Sequence, residues 1–418
     1  MSSDLRGQSA REIHAVLPDR ADDLARLQLI ADDDVPVVTV VGKYNHGKSS
    51  LLNELLGQQA FAVSDKRETV ALAHSVQEGV RWLDAPGLDA DVGSEDDRHA
   101  FDAVWLHADI RLFVHAAKEG ELDARERALL AELLADSERS ARQTFFVLTQ
   151  ADQLADDSEL ERVRAALAAQ CEGIEWRVVS ATRHRKGQEG GKALMVERSG
   201  IPALHTLLRD AIHRVPHARA SEAALLRDEI HSALSEHRTA QAALLDTLRT
   251  KQQQQREEFD RGLRAVIDKS GADIDAMLNA LGTDHAIVPD TAKDIYASTA
   301  GKRERAHIQI AYSRACIAID GFLTGRGVME LPSEQRTAAS SINSVMIAVL
   351  GISVKFRKDL RAMFCDVQGR ERMQRDFAHY YELSAGRKTL AQRIVDVDAA
   401  LRAAETAIAA LQIMIART

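Results

Sequence analysis

An apolar run, VPVVTVV (35–41), passes directly into the glycine-framed loop GKYNHGKS (42–49) and then into SLLNELLG (50–57), whose leucines have helical spacing. A buried strand that turns through glycines into a helix must have both of its faces covered, and few folds allow that. The following residues repeat the scheme. VRWLDAPG (80–87), IRLFVHA (110–116), TFFVLTQ (144–150) and WRVVSA (176–181) read as buried strands. DARERALLAELLADS (123–137) and DSELERVRAALAAQ (157–170) read as helices between them. This alternation predicts an α/β domain over 35–215, a mainly parallel sheet with helices on both faces.

The flanks differ. Residues 5–33 read as a helix anchored by Leu5, Ile13, Leu17, Leu24, Leu27 and Ile30 and interrupted at Pro18. Beyond Pro216 no strand pattern recurs, which predicts an all-helical bundle over 216–418. Its last helix repeats Leu390, Ile394, Val397, Leu401, Ala404, Ile408, Leu411 and Ile415 at steps of four and three. Its first helix repeats Leu226, Ile230, Ala233, His237, Ala240 and Leu244 in the same way. The two stripes suggest antiparallel partners, with the helix of 1–34 packing on them. His237 reads as a tolerated seam position rather than a ligand.

Composition narrows the function classes. The net charge of −9 argues against holding nucleic acid by bulk electrostatics. The negative charge is concentrated in the first half. The three cysteines, Cys171, Cys316 and Cys365, have no ligand-like spacing. They exclude a disulfide scaffold or zinc site and suit a reducing cytoplasm. The N-terminus lacks the apolar core of a signal peptide, and no apolar run approaches the length of a membrane span. The expected location is cytoplasmic, with peripheral membrane contact an open alternative.

The chemistry begins at Gly42. GKYNHGKS fits G-x-x-x-x-G-K-[ST] in the strand-then-helix context that the motif needs. Gly42 and Gly47 let the backbone wrap a phosphate chain, Lys48 supplies charge to the β- and γ-phosphates, and Ser49, followed by Ser50, offers a hydroxyl to Mg²⁺. DAPG (84–87) fits D-x-x-G: Asp84 would hold Mg²⁺ through water, and the Gly87 amide would meet the γ-phosphate. Thr69 lies where a switch threonine would bind Mg²⁺ in the triphosphate state. TQAD (149–152) would bring Thr149, Gln150 and Asp152 to the base, with Asp152 accepting from guanine N1 and N2. Backbone amides of Ser180, Ala181 and Thr182 would meet guanine O6. All these motifs fall at the carboxyl ends of predicted strands, where ligands of open parallel sheets bind.

Residues 35–215 resemble a Ras-like G domain of the translation-factor-related GTPase class, and VVGKYNHGKSSLLNELLG is similar to its Era-like and dynamin-like branches. A G domain with a short helix before it and a long helical region after it also resembles bacterial dynamin-like proteins. The resemblance implies binding of GTP and GDP and Mg²⁺-dependent hydrolysis of GTP. Two departures matter. Gln150 stands where the family usually has Lys, and Leu88 stands where Ras-like enzymes carry the catalytic Gln. Asn45 aligns with an asparagine that in potassium-activated relatives helps seat a monovalent cation, K⁺ or Na⁺. There, dimerisation across the nucleotide face completes the site. The resemblance thus makes Lys48, Thr69 and Asn45 candidate catalytic residues, although Asn45 can also serve only to shape the loop. Tyr44 and His46 are within reach of the phosphates.

Two partner classes stay open. One is a self-associating, mechanochemical GTPase of dynamin type acting at a membrane. The other is an Era-like switch GTPase whose helical half docks a protein or ribosomal partner. SVMIAVLGISV (344–354) followed by KFRKDLR (355–361) is either an apolar tip meeting an anionic membrane or a core helix with a solvated basic end. Its ten or eleven residues favour the core.

Overall fold

The computed structural model describes residues 2–61, 73–85, 101–171, 174–294, 296–336 and 344–415. The expected strand–helix alternation builds one six-stranded sheet. Its strands are β1 (Val37–Gly42), β2 (Ala73–Gln77), β3 (Val80–Asp84), β4 (Ile110–Ala116), β5 (Gln143–Thr149) and β6 (Trp176–Val178). The order is β2-β3-β1-β4-β5-β6. Only β2 runs antiparallel, pairing with β3. β1 lies parallel between β3 and β4, with Val38 opposite Trp82 on one side and Ile110 on the other.

Strand periodicity sorts the core into two layers. Val38, Val40, Ile110, Leu112, Val114 and Val147 face one side, with Leu51 and Leu52 of α3 (Lys48–Leu56). Val37, Val41, Phe113, Phe146 and Leu148 face the other. There they meet Leu130 and Leu133 of α4 (Ala124–Ser140) and Val163 and Leu167 of α5 (Asp157–Gln170). Asp123 caps α4 with a reciprocal capping box to Glu126, which fixes where that helix starts.

The N-terminal segment forms α1 (Ser2–Val16) and α2 (Ala21–Asp32), separated at Pro18. After β6 come α6 (Ala181–Glu189), α7 (Ala193–Glu197) and the single helix α8 (Ile201–Ala280). The expected boundary at 215/216 therefore lies inside a helix. Pro216 removes one backbone donor, but Leu204, Leu208, Ala211 and Val215 before it and Leu226 and Ile230 after it are buried and hold the helix on course. Then follow α9 (Ala300–Thr324), α10 (Val345–Leu350), α11 (Arg357–Phe364), α12 (Val367–Glu382) and α13 (Ala385–Ile415).

Two compact units result, residues 1–236 with 404–418, and residues 237–403. In the first unit Ile13, Leu17, Leu24 and Leu27 pack on Leu226, Ile230 and Leu234 of α8 and on Ala407, Ala410 and Leu411 of α13. The N-terminal helices thus meet the two stripes proposed for them. In the second unit Leu245 and Leu248 meet Val397, with Leu244, Leu390, Ile394 and Leu401 alongside. The α8 stripe differs from the expected one. Ala240 is exposed, and the apolar line runs from Leu234 to Leu245 and Leu248.

The second unit also settles where 344–354 lies. Val345, Met346, Leu350 and Val354 are buried in the core with Ile308, Tyr312, Leu360 and Phe377. Ile352 alone of its large apolar residues stands out, 79% exposed, beside exposed Lys355 and Lys358. Among the described residues no helix is long and apolar enough to cross a membrane.

A buried ion network joins α2, β4, β5 and α8 within the first unit. The Arg26 guanidinium donates to Glu222 (2.8 Å) and to Asp109 (2.8 Å), Arg142 donates to Glu222 (2.7 Å), and Arg219 donates to both oxygens of Asp109 (2.8 and 2.6 Å). Each of the five is at most 8% exposed. Removing one partner of such a network strands charges that water cannot reach. Glu222→Ala should therefore destabilise the first unit by about 3–5 kcal/mol. All three tryptophans, Trp82, Trp105 and Trp176, lie in that unit, so a fall in the urea midpoint read by tryptophan fluorescence checks it.

Candidate functional site

The glycines of the loop after β1 are set by geometry. A Cβ on Gly42 would lie 2.2 Å from the Val114 carbonyl oxygen, so only glycine lets the chain leave β1 this close to β4. Gly47 has φ +83° and Asn45 has φ +59°, left-handed conformations that curl successive amides toward one centre. Lys48 folds over the loop and donates to the carbonyls of Gly42 (3.0 Å) and Lys43 (2.8 Å). Its ammonium thus already stands over the cradle.

Two of the three residues expected to hold magnesium, Ser49 and Asp84, lie side by side. Ser49, at the start of α3, donates its hydroxyl to Oδ2 of Asp84 at the end of β3 (2.5 Å). The other oxygen, Oδ1, is buried with no hydrogen-bond partner among the described residues. Burial raises the Asp84 carboxyl above its ordinary pKa, against the Ser49 bond and the nearby Lys48. An orphaned hard oxygen beside a serine hydroxyl fits Mg²⁺, which takes oxygen ligands. Thr69, Gly87 and Leu88 lie outside the described residues.

The base-side motifs are fastened to the phosphate-side loop. Thr149, ending β5, donates to the His46 carbonyl (2.6 Å) and the His115 carbonyl (3.2 Å). Gln150, at φ +56°, donates its amide to the Asn45 carbonyl (2.6 Å). Where a lysine would stack on the base, this side chain ties down the loop instead. Ser180 caps α6, accepting from the Arg183 amide (3.0 Å), and donates to Asp152 (2.5 Å). Ala181 and Thr182 form the first turn of that helix, whose amides are the free donors of a helix start. His184 and Arg185 on α6 both reach Glu54 of α3, at 2.7 and 2.8 Å.

One expected residue is placed differently. The His46 imidazole turns inward and is 4% exposed, edge-on to His115 with ring centroids 5.2 Å apart. Only its backbone remains available to a phosphate. The hydrophobic interior beneath the loop offers it a polar niche in which the sequence reading placed no residue: His115 on β4 and Glu126 on α4, joined at 2.8 Å, with Lys43 bridging Asp123 (2.6 Å) and Glu126 (3.5 Å). A signal existed. His115 is a polar residue inside an otherwise apolar strand, and Asp123 and Glu126 have capping-box spacing. Asn45, by contrast, keeps its side chain exposed.

Residues 37–150 match the family described as 50S ribosome-binding GTPase. Over 395 residues the chain is 49% identical to an uncharacterized protein of Acinetobacter baylyi, covering 94% of each. It is 32% identical to the GTPase Der of Streptococcus mutans over 101 residues, 22% of this chain and 23% of that one. Among solved structures, an oligomerised bacterial dynamin pair aligns over 99% of this chain and 77% of its own at 13% identity, with a TM-score of 0.37.

Thr149→Val keeps the side-chain shape but deletes both bonds to the loop carbonyls. It should lower stability by about 1–2 kcal/mol and weaken binding of fluorescent GDP. Melting and nucleotide titration of the same variant check both effects.

Proposed function

We propose a function from one premise: the chain carries a P-loop GTPase domain and, as a whole, belongs to one family with the uncharacterized protein of Acinetobacter baylyi. It binds GTP with Mg²⁺ and hydrolyses it to GDP and phosphate. The observation that supports this reading is the pair of contacts Ser49–Asp84 and Ser180–Asp152, both at the carboxyl ends of the strands.

Each residue then has a task. The amides around Gly47 and the Lys48 ammonium receive the phosphates, with Lys48 giving up the Gly42 and Lys43 carbonyls. Ser49 and Asp84 hold Mg²⁺, with Thr69 completing the set in the triphosphate state. When bound, that ion neutralises charge developing on the β- and γ-oxygens as water attacks the γ-phosphorus. Asp152 accepts from guanine N1 and N2, while Ser180, fixed by its own bond to Asp152, presents the amides of Ala181 and Thr182 to O6. Adenine carries neither of those donors and leaves the carboxylate unpaired, which costs a few kcal/mol.

With Leu88 in place of the catalytic glutamine, orientation of the attacking water falls to another group. Exposed Asn45 supports seating of a K⁺ or Na⁺ ion there, completed by a second copy across the nucleotide face. This makes the protein a self-associating GTPase of dynamin type, with residues 237–403 as its effector arm. With Val345, Met346, Leu350 and Val354 in the core, contact of 344–361 with an anionic membrane rests on exposed Ile352 beside Lys355 and Lys358. A switch GTPase that docks a protein or ribosomal partner is the competing reading.

Lys48→Ala and Ser49→Asn should each abolish hydrolysis while leaving tryptophan fluorescence melting nearly unchanged. Turnover near the wild-type rate in either variant refutes the site. ATP competing as well as GTP refutes the role of Asp152. Light scattering with GDP and aluminium fluoride should show dimers absent from the GDP state. A monomer in both states favours the switch reading.

A further inference from the structure

Beneath the nucleotide loop, on the face of the sheet covered by α4, lies a polar cluster that GTP chemistry does not use. We infer that His46, His115 and Glu126 form a binding site for a transition-metal ion of the zinc class, separate from the Mg²⁺ position at Ser49 and Asp84. All three residues are buried, and their ligand atoms lie within 4.8 Å of one another. Glu126 Oε1 is the meeting point, 2.8 Å from His115 Nδ1 and 3.5 Å from His46 Nδ1.

His46 carries the inference furthest. Its ring is 4% exposed, yet Nδ1 has no hydrogen-bond partner among the described residues. A desolvated, unpaired ring nitrogen is costly, and a bound cation removes that cost. His115 gives a second indication. Its Nδ1 faces Glu126 (2.8 Å) and its Nε2 faces the Gly120 carbonyl (3.3 Å). With the proton on Nε2 toward Gly120, Nδ1 is free to bind a metal, the usual way a backbone carbonyl fixes a metal-ligating histidine.

The donor set selects the ion. Two imidazole nitrogens and one carboxylate suit Zn²⁺, Co²⁺ or Ni²⁺ and not Mg²⁺, which prefers oxygens. Ligand atoms around tetrahedral zinc sit about 3.3 Å apart, so His46 and Glu126 at 3.5 Å already have the right spacing, and the widest pair of the three must close by up to about 1.5 Å. Lys43 engages the other oxygen of Glu126 and leaves Oε1 to the ion. The cluster contains no cysteine and its members are scattered over 80 residues, so cysteine spacing has no bearing on it. Bound there, an ion grips the loop through the His46 side chain while Thr149 grips the carbonyl of the same residue.

The test uses full-length, metal-stripped protein with Mg²⁺ and GDP in excess, so that the other cation position is filled. Co²⁺ should bind at one equivalent with visible d–d absorption bands, and Zn²⁺ should displace it. Glu126→Gln keeps the capping box, and His115→Asn keeps a polar group; each should weaken Co²⁺ binding at least about tenfold. Bands that persist unchanged in both variants would place the ion on other histidines of the fifteen and overturn the proposal, as would the absence of bands in the wild type. If either variant fails to fold, anomalous scattering from zinc-soaked wild-type crystals decides. A peak among the three side chains supports the site, and its absence sinks it.

Discussion

Asp109 is the fixed point of the first unit. Its side chain accepts from Arg26, from two nitrogens of Arg219 and from the Val37 amide, and its own amide donates to the Val37 carbonyl. The start of β1 is thereby clamped beside the start of β4 before the ladder begins at Val38 and Ile110. Six residues later β1 releases the nucleotide loop, so its position follows from a charge cluster at the opposite end of the strand. The carboxylates of Asp109 and Glu222 keep three guanidiniums in the interior, and those guanidiniums bring α2 and α8 onto the sheet. A hydrophobic contact could supply comparable burial energy but not the same directional register.

The same arginines also hold the segment that leads into β4. Arg26 also donates to the carbonyls of Leu106 and His107, and Arg142 to that of Trp105 (3.0, 3.2 and 2.5 Å). These carbonyls end a short π-helix, Asp102–His107, a rare form of helix.

Much of this was legible in the sequence, because buried parallel strands announce themselves as unbroken apolar runs. β1, β4 and β5 fall within a residue or two of their expected bounds. β2 did not stand out, since AHSVQ is short, half-exposed and at the sheet edge, where no apolar run is needed. Pro216 misled because its helix-breaking cost is local, whereas the burial holding α8 extends on both sides of it. Ala240 was placed on the stripe by spacing alone, but a long helix drifts relative to a strict heptad and its buried face moves with it. The strand-end motifs could be read because the fold puts strand ends together. The His46–His115–Glu126 cluster could not be read by spacing, since three different elements supply it.

The division of the chain has a consequence for its synthesis. Residues 237–403 interrupt the first unit, whose helical layer is completed only by Ala407, Ala410 and Leu411 packing on Ile13 and Leu17. On the ribosome, chains fold from the N-terminus as residues emerge. The sheet can assemble early, but the apolar faces of α1 and α2 must wait for a segment made after the whole second unit. During that interval a half-covered surface is held to the sheet mainly by the arginine–carboxylate network. A charged anchor is well suited to that wait, since it fixes the position of α2 without requiring the greasy face beside it to be closed.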